Sequence, residues 1–147
     1  MYKNILSYLC VIFFLFGCSS SNRVSNNNEE INIRSPEEIY ISAMNYFDNK
    51  YYELANEEFN KIKQLYPLSD EAIQSEIMIG FIGYVQMDYD LAILKFKKIT
   101  NKYPSLKDLD YVYYMIGMCY YEQISDHQLD GNFNELALDA FNQVIFR

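Results

Sequence analysis

The chain has one histidine, His127, and three cysteines among 147 residues. A single imidazole leaves little to build a histidine-based metal cluster or a Ser-His-Asp triad on. No glycine-rich phosphate loop occurs. Basic residues are few: 12 Lys and Arg against 20 Asp and Glu give a net charge of −8. That excludes nucleic acid, which selects for a basic face, and weighs against electrostatic docking of the whole domain on anionic lipid. No apolar run reaches the ~20 residues of a membrane-spanning helix. The longest, residues 5–16, is uncharged and follows Lys3. A short basic start and a short apolar core are the layout of a secretory signal peptide.

The segment FFLFGCSS (13–20) passes from apolar side chains through Gly17 and Cys18 into serines. Leu15, three residues before Cys18, gives Leu15-Phe16-Gly17-Cys18 the look of a bacterial lipobox, although Phe16 is larger than that pattern prefers. The reading is a signal peptide over 1–17 and lipidation at Cys18, whose thiol accepts the diacylglycerol. Several acyl chains hold a protein on a bilayer where one does not. Ser19, rather than aspartate, follows the cysteine and points to the outer membrane. Cleavage removes Lys3 and Cys10, so the mature chain is one unit more acidic. Acylated Cys18 then leaves Cys119 alone, without a disulfide partner. Residues 18–34 are polar and low in complexity, a flexible tether.

Beyond the tether, YYELANEEFNKIKQLYP (51–67) aligns with DYDLAILKFKKITNKYP (88–104) at an offset of 37. Ala43, Gly80 and Gly117 keep the same spacing, and a third copy of the second half, around Ala137 and Phe141, aligns after eight inserted residues. Small residue, Ala, Phe and Pro at these intervals form the tetratricopeptide (TPR) pattern of paired helices. Gly80 and Ala92 are expected where the two helices of a pair cross, and Phe96 and Ile99 wedge into the next pair. Pro104 ends its helix. Ser35-Pro36-Glu37-Glu38 is a helix start with a capping serine and proline in the first turn. Ser69 and Ser105 are expected to open the next two pairs. The spacing predicts helices near 36–48, 51–65, 70–86, 88–102, 108–124 and 133–146. The fold class is therefore all-α, a TPR-type α-solenoid of about three helix pairs over 35–147, with repeats near 35–68, 69–105 and 106–147. Cys119 falls in an apolar helical run and reads as core. Asp126, His127, Asp130 and Gly131 in the inserted loop match no metal-loop spacing, so a solvated turn is the better reading.

The third unit reads DYVYYMIGMCYYEQI (110–124), SDHQLD (125–130), then ALDAFNQVI (137–145). An aromatic helix, an aspartate-bearing insertion and that closing helix resemble the BamD family, TPR lipoproteins of the outer-membrane β-barrel assembly machine (BAM). The resemblance covers about 35–147. It implies a non-enzymatic scaffold without cofactor, lipid-anchored on the periplasmic face of the outer membrane. It also implies BamA and other BAM subunits as partners and unfolded outer-membrane β-barrel proteins as clients. Family members have about five repeats. Here the third stops at Arg147 without its Tyr-Pro ending, which reads as an N-terminal portion whose last helix leaves an apolar face bare. Other classes consistent with the residues are a TPR lipoprotein that coordinates other cell-envelope or cell-wall proteins, and a peripheral enzyme subunit.

In a TPR stack the first helix of each pair lines the inner face. Counting from Ala43, Gly80 and Gly117, the inward positions are Glu37, Tyr40, Met44 and Phe47; Gln74, Ile77, Phe81 and Tyr84; Tyr111, Tyr114, Met118 and Tyr121. Only Glu37 is charged and seven of the twelve are aromatic, more than a solvated wall requires. Aromatic rings supply contact area at small rotamer cost, and Met adapts to varied partners. The expected ligand is an extended peptide ending in an aromatic residue. Alternatively the rings pack on the neighbouring repeat.

Overall fold

A computed structural model describes residues 34–124 and 132–146. The described residues form six α-helices: α1 (Pro36–Asp48), α2 (Tyr52–Leu65), α3 (Asp70–Val85), α4 (Tyr89–Lys102), α5 (Leu109–Gln123) and α6 (Phe133–Ile145). Each agrees with the expected span to within a residue at either end. The lipobox with Cys18, and the Asp126–His127–Asp130 loop, lie outside the described residues. None of the described helices is long and apolar enough to cross a membrane.

Local chemistry sets the boundaries. Ser35 Oγ accepts from Glu38 N–H while Glu38 Oε2 accepts from Ser35 N–H, a complete capping box, with Pro36 in the first turn. Ser69 Oγ caps α3 through Ala72 N–H. Ser105 does not cap: α5 begins at Leu109 with Asp108 as its N-cap residue, and no side-chain cap bond forms there. The Asp108 carboxylate instead accepts from Gln74 Nε2 of α3 at 3.3 Å, so it is spent between pairs.

The links from α1 to α2 and from α3 to α4 are the same turn built twice. Lys50 and Met87, 37 residues apart, hold left-handed φ angles of 63° and 61°. Lys50 N–H donates to Phe47 O and Tyr51 N–H to Tyr46 O; Met87 N–H donates to Tyr84 O and Asp88 N–H to Gly83 O. These are the paired bonds of a Schellman motif, which satisfies helix-end carbonyls. The usual glycine is missing at both places.

Consecutive helices pack antiparallel down the chain. First helices also approach one another across pairs, α1 with α3 and α3 with α5, whereas among the described residues the backbones of second helices stay farther apart. First helices therefore line the inner side and second helices the outer side. Phe59, Ile62, Phe96 and Ile99 are fully buried at equivalent positions of α2 and α4. Each such side chain contributes about 2–3 kcal/mol of burial. Phe96 and Ile99 share a core with Leu109, Val112 and Ile116 of α5, the wedge into the next pair.

The crossing inside each pair differs in one respect from the sequence reading. Gly80 faces Phe96, not Ala92: a Cβ there would lie 2.8 Å from the ring. Ala92 faces Gly83. Gly117 repeats the arrangement with Phe141, at 2.5 Å. The glycines are small because a ring from the partner helix occupies the space. On α6 the equivalent residues are less covered: Phe141 and Val144 are half-buried, and Leu138, Ile145 and Phe146 are exposed.

Candidate functional site: the inner aromatic face

The inward positions expected on α1, α3 and α5 divide into two groups. In the first two pairs most rings pack on one another. Phe47 lies 5.7 Å from Tyr52 and 5.8 Å from Phe81, Phe81 stacks on Tyr84 at 6.0 Å, and Tyr84 meets Tyr89 at 5.8 Å. Tyr40 stands edge-on to buried Phe59 at 5.5 Å, and burial pushes its hydroxyl above the ordinary tyrosine pKa. Met44 is half-buried beside them. Ile77 is not available to a ligand: it is 4% exposed and belongs to the core shared with α4 and α5. Its isoleucine side chain fills the space between pairs.

The second group lies on α5. Tyr111, Tyr114 and Tyr121 are 41%, 45% and 58% exposed, with Met118 half-buried between them. Positions 111, 114, 118 and 121 fall on one helical stripe. Tyr114 lies 6.1 Å from Phe141, ring to ring. Burial, then Tyr114, raises the Tyr111 pKa. Of the polar inward positions, Glu37 is exposed and Gln74 is tied to Asp108.

Sequence reasoning missed the polar links that hold this face. Tyr84 Oη donates to Glu122 Oε1 at 3.4 Å, joining α3 to α5 beside Tyr121. Burial, then the Glu122 charge, raises the Tyr84 pKa. The two tyrosines of the Tyr-Pro endings serve similarly: Tyr66 Oη donates to Arg34 O at 2.7 Å, and Tyr103 Oη to Glu76 Oε1 at 3.4 Å. Buried Glu58 accepts from Arg34 at 2.7 Å and from Lys61. The 37-residue recurrence of Tyr66 and Tyr103 was the available signal; their acceptors differ, so no repeat pattern names them. Among the described residues, no group of His, Cys, Asp and Glu could hold a metal ion.

Helix pairs in register, small residues under facing rings and an aromatic inner row define a TPR-type α-solenoid, a class that uses extended inner surfaces for recognition. Within that class the chain belongs to the outer membrane lipoprotein family YfiO, whose model matches residues 33–146. It is 31% identical over 142 residues to the outer membrane protein assembly factor BamD of Rickettsia prowazekii, covering 96% of this chain and 55% of that protein. It is 28% identical over 114 residues to BamD of Caulobacter vibrioides, 78% of this chain and 37% of the relative. With BamD of Pasteurella multocida the identity is 24% over 106 residues, 72% and 38% respectively. The chain thus spans about half, or less, of the length of these relatives.

Proposed function

We propose that this chain is an outer-membrane lipoprotein scaffold of the β-barrel assembly machinery, anchored through acylated Cys18 and facing the periplasm. Residues 1–17 act as its signal peptide, 18–34 as its tether and 35–147 as the TPR domain. It binds the C-terminal segment of unfolded outer-membrane β-barrel proteins and works beside BamA and other BAM subunits without catalysing a reaction. The family and the names of the relatives support the setting. The observation that carries the binding role is the exposed stripe of Tyr111, Tyr114 and Tyr121 on α5, beside the packed rings of α1 and α3, which Tyr84 ties to α5 through Glu122.

Flat, amphipathic rings on a rigid helix suit an extended peptide whose own terminal residue is aromatic. The test is fluorescence binding of a C-terminal barrel-protein peptide. Tyr111→Ala with Tyr121→Ala should weaken it about tenfold, since truncating a central aromatic typically costs 1–2 kcal/mol or more. Helical circular dichroism should stay unchanged, because both rings are substantially exposed. Unchanged affinity in the folded double variant would refute the inner-face role. A crosslinking pull-down from envelope membranes that lacks BamA would refute the assembly-machine setting.

A further inference from the structure

Half of the chain's 12 basic residues stand on two neighbouring outer helices: Lys61 and Lys63 on α2, and Lys95, Lys97, Lys98 and Lys102 on α4. The described part of α6, the third outer helix, carries none. Repeat geometry does not require them. Counting by the repeat, Lys95 corresponds to Glu58 and Ala140, and Lys98 to Lys61 and Gln143.

Three of these lysines surround one narrow cleft of about 40 Å³ where α2 and α4 meet over α3, lined by Lys63, Glu76, Ile79, Lys95, Lys98 and Ile99. Its single carboxylate is already committed: Glu76 pairs with Lys102 at 2.7 Å. Glu58, the nearest buried acid on α2, is committed to Arg34 and Lys61. Among the described residues, Lys63, Lys95 and Lys98 make no salt bridge; Lys63 has only the amide oxygen of Asn60, at 3.3 Å. Burial, and then the charges of Lys95, Lys98 and Lys102, hold the Lys63 ammonium below its ordinary pKa, against the opposing pull of Glu76. Three lysines without a paired acid have collected in the C-terminal halves of α2 and α4 of an acidic protein.

The same face is partly apolar. Leu91 and Leu94 lie exposed on α4, about one to three turns before Lys98 and Lys102, and Leu54 is exposed on α2. The outer stripe of α4 therefore runs from two leucines into a basic end. We propose that the α2–α4 outer face is a docking site for an acidic amphipathic segment of a partner protein. Its carboxylates would meet Lys63, Lys95 and Lys98, and its apolar side chains would meet Leu91 and Leu94. Charge complementarity selects the partner. A uniformly anionic surface fits less well, because Glu53, Glu57 and Asp90 are exposed on the same two helices and would repel it.

The test uses the purified full-length chain in detergent and a synthetic helical peptide of about 14 residues, the length of α4, with Glu and Leu along one face. Binding is expected to weaken with added salt and to fall about tenfold when the peptide's Glu residues become Gln, a fair sum of three partly exposed pairs. Lys63→Gln, Lys95→Gln and Lys98→Gln together should cause a similar loss, and Arg at all three positions should restore affinity. The Tyr111→Ala, Tyr121→Ala variant should bind this peptide as wild type does, which separates this site from the inner face. Equal binding of the Glu and Gln peptides would overturn the proposal whether or not any variant folds. So would unchanged binding by the triple Gln variant, or capture by anionic phospholipid vesicles without capture of the peptide.

Discussion

The Phe96 ring occupies the space that a side chain on Gly80 would need, with Cε1 2.8 Å from the position of a Cβ. Phe96 is fully buried, so the ring cannot swing away. Gly80→Ala gains roughly 1 kcal/mol of helix propensity but overpacks the crossing, at about 1–3 kcal/mol. The expected outcome is a net loss of up to about 2 kcal/mol in urea unfolding, recovered in part by Phe96→Leu. Gly117→Ala should cost less despite its closer approach of 2.5 Å, because Phe141 is half-buried and can yield.

Lys50 and Met87 hold a backbone conformation that L-residues rarely adopt. Replacing either with glycine removes that strain, worth about 1–2 kcal/mol, while widening the unfolded ensemble by somewhat less. Lys50→Gly and Met87→Gly are each expected to raise the melting temperature by a few degrees. Met87→Ala should not, since alanine keeps the Cβ that causes the strain.

Glu58 gives the fold an acid-sensitive joint. Burial acts to raise its pKa, but hydrogen bonds from Lys61 and Arg34 and their charges outweigh it, so the carboxyl titrates below its ordinary 4.5. Folding thus favours the ionised form. The stabilisation is complete above that ordinary value and is lost as pH falls through it to the folded pKa. Arg34 and Lys61 are nearly half exposed, which holds the contribution to about 1 kcal/mol. Glu58→Gln should lower stability at pH 7 and flatten the acid limb of the stability–pH curve measured between pH 6 and 3.

Cys119 is fully buried, and burial pushes its thiol pKa up to about 12. The thiolate is the reactive form, so native protein should leave Cys119 unlabelled by iodoacetamide at pH 8. Denatured protein should label readily. Rapid labelling of the native state would show that α5 opens far more often than its packing implies.

The helices were legible because their signals are local or periodic: the Ser35 capping box, the proline stops after α2 and α4, and the recurrence at 37 residues. Ser105 misled because its spacing from Asp108 looks like a cap, while the competing bond from Gln74 is a tertiary fact. The inner face was legible as a list of residues but not as a surface. Nothing in the alignment distinguishes Ile77, which closes the core, from its counterpart Tyr114, which stays half open. The Glu58 and Glu122 links were invisible for a related reason. A carboxylate's partners depend on which helix lies opposite, and the repeat fixes positions without fixing chemistry there.

Inner helices meet their neighbours while outer helices stand apart, so the inner line acts as a spine and the outer side as the free edge of a fan. The outer side is uneven along the stack: a cleft of about 40 Å³ lies among α2, α3 and α4, and one of about 690 Å³ among α4, α5 and α6. Spreading the outer edge curls the inner face more tightly, and closing it flattens that face. In such a stack the curvature of the inner face would follow the spacing of the outer helices.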